Sequence, residues 1–156
     1  MVASLAQQLA TSKYPLNSDS TIANISLLRK QGKISDPEDT FAYHIASKLD
    51  TQVIQQYSVP AFDRKTLNKF YWHIDIFLPE YALAIEVNGQ SHYTDPRQFV
   101  SDYWKQLDCT RLGIVLVSFP CFPPSGQTAY QAWCRKMFRY WSKDIQKLVE
   151  AFKYEA

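Results

Sequence analysis

The stretch Phe70 to Tyr93, FYWHIDIFLPEYALAIEVNGQSHY, constrains this chain more than any other. It holds two apolar, β-branched and aromatic runs, 70–78 and 81–87, joined by Pro79-Glu80 and followed by Asn88-Gly89. Ile, Phe, Val and Tyr favour extended backbone, while Pro-Glu and Asn-Gly favour reversal, so the pattern predicts two adjacent strands and then a tight turn. Each run also carries one carboxylate, Asp75 and Glu86, among side chains that demand burial. An unpaired charge in that setting is costly, so each carboxylate needs a partner.

The connection decides where the two point. With a turn of Pro79-Glu80 alone, Leu78 faces Tyr81 and Asp75 lies opposite Ala84. Glu86, two residues beyond Ala84, then shares a face with Asp75, whereas an odd-length connection would send the pair to opposite faces. Asn88, Gln90 and His92 follow at two-residue steps and extend the same polar face unless the Asn88-Gly89 turn interrupts the alternation. Two neighbouring carboxylates can hold a hard cation, Mg²⁺ or Mn²⁺, which lowers the pKa of water and stabilises charge on a phosphate. The plainer alternative is that Asp75 and Glu86 pair with Lys or Arg at a sheet edge.

Flanking segments supply the layers such a hairpin needs. Ser35 or Asp36 can cap a helix with Pro37 in its first turn, Glu38 and Asp39 at the positive end of its dipole, and Phe41, Ile45 and Leu49 on one face. This predicts a helix over 36–50, a strand over 53–59 and a polar loop over 60–69. Pro96 starts a second helix, 96–112, with Phe99, Tyr103 and Leu107 as its apolar face and Gly113 after its end. Ile114 to Phe119 is a buried strand, expected to run parallel to a neighbour because a helix precedes it. A final amphipathic helix spans 127–152, with Trp141, Ile145 and Leu148 in its stripe. The expected class is α/β, a small mixed sheet flanked by helices. Residues 1–34 read as an arm with a short helix near 20–30, and 35–156 as one domain.

Composition narrows the function classes. The 156 residues are 46% hydrophobic and 21% charged, too apolar for a disordered chain. No apolar run approaches the ~18–20 residues of a membrane span, and no Lys or Arg precedes the apolar patch at the start, so a cytoplasmic protein without a membrane partner is expected. Cys109, Cys121 and Cys134 lack zinc-ligand spacing and read as neutral thiols. With 17 Lys and Arg against 15 Asp and Glu the formal charge is only +2, so any nucleic-acid binding must come from where the charges sit.

The words HIDIFLPEYALAIEVNGQSHY resemble the core motif of the PD-(D/E)xK nuclease superfamily, in particular small bacterial endonucleases related to very-short-patch repair enzymes. The similarity runs over about residues 35 to 120: an Asp strand, a Glu strand, Asn88-Gly89 with His92, a helix with Asp102 and Lys105, and Leu112-Gly113 before an apolar strand. It implies a restriction-endonuclease-like core and a Mg²⁺- or Mn²⁺-dependent endonuclease acting on DNA, in a restriction, repair or mobile-intron role. Asp75, Glu86 and the Val87 carbonyl would hold the metal, and Glu38 matches the acidic residue of an upstream helix. The superfamily's Lys, two residues after the Glu, is Asn88 here. Gln90 is the candidate substitute, His92 a water-orienting or acid/base group, and Lys69 or Lys105 could reach in from elsewhere. A weaker resemblance to the RAP domain of RNA-associated proteins keeps a non-catalytic nucleic-acid-binding module, with RNA as partner, as the alternative.

Two basic sets could follow a phosphate backbone. Arg64, Lys65 and Lys69 precede the Asp75 strand, and Arg135, Arg139 and Lys143 recur every four residues along the final helix. The four Trp residues read as core or interface rather than as stacking platforms. With so small a charge excess, a homo-oligomer is expected to hold double-stranded DNA.

Overall fold

The computed structural model describes residues 36–121 and 130–154. The predicted arm over 1–34 and the first residues of the predicted 127–152 helix lie outside them. The order is α1 (Asp36–Leu49), β1 (Ile54–Phe62), β2 (Lys69–Leu78), a single 3₁₀ turn (Pro79–Tyr81), β3 (Leu83–Asn88), α2 (Ser91–Thr94), α3 (Pro96–Arg111), β4 (Val115–Pro120) and α4 (Tyr130–Tyr154). The four strands form one mixed sheet in the order β1-β2-β3-β4, antiparallel except for the parallel β3–β4 pair that α3 connects. This is the α/β class expected. No described helix is long and apolar enough to cross a membrane.

Two cores sandwich the sheet. On one side Phe41, Ala42 and Ile45 of α1 meet Phe138, Trp141 and Ile145 of α4 over Ile76, Leu83 and Ile85. Phe41 stacks on Phe138 with ring centroids 5.0 Å apart, and the edge of Phe119 closes the cluster at 5.5 Å. Rings in these offsets add to the free energy of burial itself. On the other side Tyr57, Val59, Ile74, Phe77 and Ala84 pack with Cys109 of α3.

Three sequence expectations need correction. The β1 strand continues through Phe62, because Pro60 sits on an edge strand where a missing N–H costs no ladder bond. The hairpin between β2 and β3 is longer than Pro79-Glu80: Leu78 pairs with Leu83, and Ala82 closes the 3₁₀ turn in the left-handed region at φ 49°. Asn88-Gly89 is no hairpin turn. It is a junction from β3 into α2, where the His92 N–H donates to the Gly89 carbonyl at 3.2 Å.

Helix α3 departs most. Phe99 and Tyr103, expected to face the core, are 64% and 58% exposed, and Val100 and Trp104 are exposed beside them. Its buried residues are Asp108 and Cys109, with Lys105 half-buried on the same side. The helix turns its charges inward and its aromatics outward.

Candidate active site

The hairpin register brings the two carboxylates together. Continuing the pairs Phe77–Ala84 and Ile76–Ile85 sets Asp75 across from Glu86 itself rather than from Ala84. The longer connection adds two residues, so the register slips by an even step and both side chains keep one face. Asp75 Oδ2 accepts the Val87 N–H at 2.9 Å, which ties the carboxylate to the Glu86 strand.

Glu38 joins them from the first turn of α1. Gln56 is the link: its Nε2 donates to Glu38 Oε1 at 2.9 Å, to Glu38 Oε2 at 3.1 Å and to Asp75 Oδ1 at 3.3 Å. Gln55 Nε2 donates to Glu38 Oε1 at 3.4 Å. Successive residues of a strand normally face opposite sides, so two neighbouring amides should not reach one carboxylate. Gln56 resolves this by adopting φ 54°, a left-handed conformation that costs a non-glycine residue free energy and that concentrates at functional sites. The β1–β2 ladder pairs on either side of positions 56 and 75 but not between them. Both strands switch faces there, so Ile74 packs in one core and Ile76 in the other.

Burial makes this cluster electrostatically expensive. Glu38 and Glu86 are only 5% and 6% exposed. Desolvation first, then the charge of Asp75, raises Glu38 to about 8 against the hydrogen bonds from Gln56 and Gln55. The same two causes, with a side-chain hydrogen bond to Asp75, raise Glu86 to about 9, and only Lys105 opposes them. Lys105 Nζ forms an ion pair with Glu86 Oε1. At neutral pH such a cluster retains protons that a cation could replace.

A cavity of about 210 Å³ opens over Glu86, lined also by Asn88, His92, Asp102, Tyr103 and Lys105. His92 Nδ1 stands 2.7 Å from Asp102 Oδ2, and Asp102 Oδ1 accepts from Gln98 Nε2 at 2.9 Å. With Nδ1–H held by Asp102, Nε2 is left to take or give a proton. Asn88 is buried and hydrogen-bonds Tyr93, another lining residue.

Gln90, the candidate replacement for the motif Lys, is exposed at the head of α2 and does not line this cavity. The turn after Asn88 breaks the alternation that would have carried it inward. Lys105 is the cation beside Glu86, and it comes from α3. Lys69 is exposed and lies over the Tyr71 ring at 5.3 Å. Sequence reasoning missed Gln56, whose only signal was a pair of amides inside a β-branched and aromatic run.

The basic sets separate. Arg139 and Lys143 line an exposed basic patch on α4 with Lys136 and Tyr140, while the Arg135 side chain lies outside those described. Lys65 is exposed. Arg64 is committed elsewhere, donating to Asp108 at 3.0 and 3.4 Å and lying 4.8 Å over the Trp104 ring. Asp108 also accepts the Trp72 Nε1–H at 2.8 Å, so this buried carboxylate pins the β1–β2 arm to α3.

Among the described residues no three Asp, Glu, His or Cys side chains converge as a ready cage for a cation. The donor set still fits Mg²⁺, which is commonly held by one or two carboxylates and completes its shell with water and phosphate oxygens. Comparison of the chain with protein-family models, curated proteins and solved structures returned no match.

Proposed function

We propose that this chain is a metal-dependent endonuclease that hydrolyses phosphodiester bonds in DNA, on a restriction-endonuclease-like core. One observation carries the reading: Glu38 of α1 and Glu86 of β3, both buried, converge on half-buried Asp75 of β2, with Lys105 beside Glu86. A fold maintains such a cluster against its desolvation cost where the charges have a use. The order also agrees with the resemblance: an acidic helix, an Asp strand, a Glu strand, then a helix leading into a parallel strand.

Asp75, Glu86 and the Val87 carbonyl would hold Mg²⁺ or Mn²⁺, which lowers the pKa of the attacking water and stabilises charge on the phosphate. Glu38, through Gln56, holds Asp75 in place. Lys105 takes the role of the missing motif Lys, its ammonium set to meet a phosphate oxygen once Glu86 is engaged elsewhere. As a water gives up one proton to solvent and its oxygen bonds to phosphorus, the phosphorus–oxygen bond to the leaving sugar breaks and His92 Nε2 gives the sugar oxygen a proton.

The alternative, a binding module without catalysis and with RNA as a partner, draws on the Glu86–Lys105 ion pair, which already neutralises one ligand. Incubating the purified chain with plasmid DNA and with structured RNA, in Mg²⁺ or Mn²⁺, beside Asp75→Ala and Glu86→Ala, separates the two. Cleavage of DNA that both substitutions abolish is the expected result. Cleavage unchanged in both variants would sink the site, and salt-dependent binding without cleavage would favour the module.

A further inference from the structure

Helix α3 separates two cavities. At about 100° per residue, Phe99, Asp102, Tyr103 and Gln106 lie on one flank of the helix and line the cavity over Glu86. Arg97, Val100, Ser101 and Trp104 lie on the other flank and line a larger groove of about 740 Å³. Phe70 and Trp72 of β2 form its second wall, and Asp63, Arg64 and Lys65 of the β1–β2 loop close its end.

The chemistry of this groove is specific. Its walls are aromatic, with Phe70 packed edge-on against Trp72 at 4.9 Å. Trp104 is fixed by the Arg64 guanidinium, itself anchored on buried Asp108, yet remains 39% exposed. Lys65 and Arg97 are the exposed cations of the rim. The one acid among the groove's lining residues, Asp63, accepts the backbone N–H groups of Thr66 and Lys65 at 2.8 Å each, which hold it as an anion below the ordinary carboxylate range. A held indole face beside two exposed cations suits a ligand that is planar and aromatic at one end and anionic at the other.

We propose that this groove binds an unpaired nucleotide of the nucleic-acid strand, its base stacked on Trp104 and its phosphates on Lys65 and Arg97. The choice of ligand rests on the nuclease reading, and the groove supplies what that site lacks, a means of recognising unstacked DNA. A fully paired base cannot offer its face to a wall, whereas an unpaired one can, whatever its identity. The strand would cross α3 over Phe99 and Tyr103. A helix is about 10–12 Å across, so the recognised base would lie a few nucleotides from the cleaved bond. Arg64 thereby becomes a positioning residue rather than the phosphate contact its sequence context suggests.

The test is fluorescence anisotropy of the full chain in EDTA, with labelled single-stranded and fully paired DNA of roughly 12 nucleotides. Tighter binding of the single strand is expected, weakened about 5- to 150-fold by Trp104→Ala and retained within about 5-fold by Trp104→Phe. Lys65→Ala and Arg97→Ala should each lower the salt dependence of log Kd by about 0.7. Single-strand binding unchanged in Trp104→Ala overturns the proposal, even if the chain cleaves DNA. A change in sedimentation coefficient on Trp104→Ala also overturns it, because the groove is then a protein contact. A mononucleotide bound as tightly as the strand does the same. Trp104-dependent single-strand binding without any cleavage upholds the groove and removes the nuclease reading instead.

Discussion

Raising the pH should destabilise this protein in the absence of divalent cations. Glu38 and Glu86 have folded pKa values of about 8 and about 9 against an ordinary 4.5. Each therefore binds a proton in the folded state that it has lost in the unfolded chain at neutral pH. Their contribution is complete below the unfolded pKa and is lost as pH rises through the folded values. Each group in that window lowers stability by about 1.4 kcal/mol per pH unit. Between pH 6.5 and 8 the pair loses about 3.5 kcal/mol, a little short of the full two-group slope because Glu38 is half titrated at the upper end, out of the ~5–15 kcal/mol typical of a domain. Among the described residues the other groups with shifted values do not obscure it. Burial and the charges of Lys48 and Arg139 lower His44, which makes stability rise with pH, but only below its ordinary 6.5. Cys109, pushed up to about 12, and Tyr93, raised by burial, act only in more alkaline solution. Urea denaturation in EDTA at half-unit steps from pH 6.5 to 8 reads the slope. Glu86→Gln should remove about half of it and the double variant with Glu38→Gln nearly all. The slope is the diagnostic, because Glu86→Gln also strips Lys105 of its partner and shifts stability at every pH. Stability that stays level or climbs across this range, or a slope that survives in the double variant, would refute the electrostatic account of the cluster.

Three further outcomes follow from the same geometry. Lys105→Met should reduce DNA cleavage at saturating Mg²⁺ by at least about 100-fold, with the fold retained by circular dichroism; full activity would remove Lys105 from the site. His92→Ala should slow single-turnover cleavage by about 10²- to 10⁴-fold, and Asp102→Asn should slow it as well with the fold retained by circular dichroism; an unchanged rate in Asp102→Asn would mean that the His92–Asp102 contact only holds α2 to α3. Arg139→Ala and Lys143→Ala should each reduce the salt dependence of duplex binding by about one, as measured by anisotropy, and an unaltered slope would show that the basic face of α4 does not meet nucleic acid.

Where a local signal and a packing demand agreed, the fold was legible in the sequence. The α1 helix has Pro37 and Glu38 at its start and Phe41, Ile45 and Leu49 at helical spacing, and it runs over Asp36–Leu49. The β4 strand follows a helix and pairs parallel to β3, as a crossover connection requires. The hairpin was legible in its faces but not in its register. Asp75 and Glu86 share a face for any even connection, yet nothing in Pro79-Glu80 showed that Tyr81 and Ala82 would join the turn. That required Ala82 to enter the left-handed region, a conformation its residue type does not advertise. Gln56 was hidden for the same reason: its importance lies in a backbone angle, set by the meeting of β1, β2 and α1 rather than by its neighbours in sequence.

Helix α3 shows why periodicity alone cannot locate a site. Phe99 and Tyr103 repeat at helical spacing, and so do Asp102, Lys105 and Asp108, so the sequence offers two candidate inward faces. Hydrophobicity selects the aromatic face. The sheet beneath decides otherwise, because β3 presents Glu86 to Lys105, while β2 presents the Trp72 N–H and the β1–β2 loop presents Arg64 to Asp108. Each buried charge on the helix thus has an opposite charge or a hydrogen-bond partner, without which its burial would be prohibitive. Turning the charges in forces the aromatics out, to line the cavity over Glu86 on one flank and the groove at Trp104 on the other. The inversion of α3 and the acidic cluster are therefore one feature: a helix that turns Lys105 in to Glu86 must turn Phe99, Tyr103 and Trp104 out.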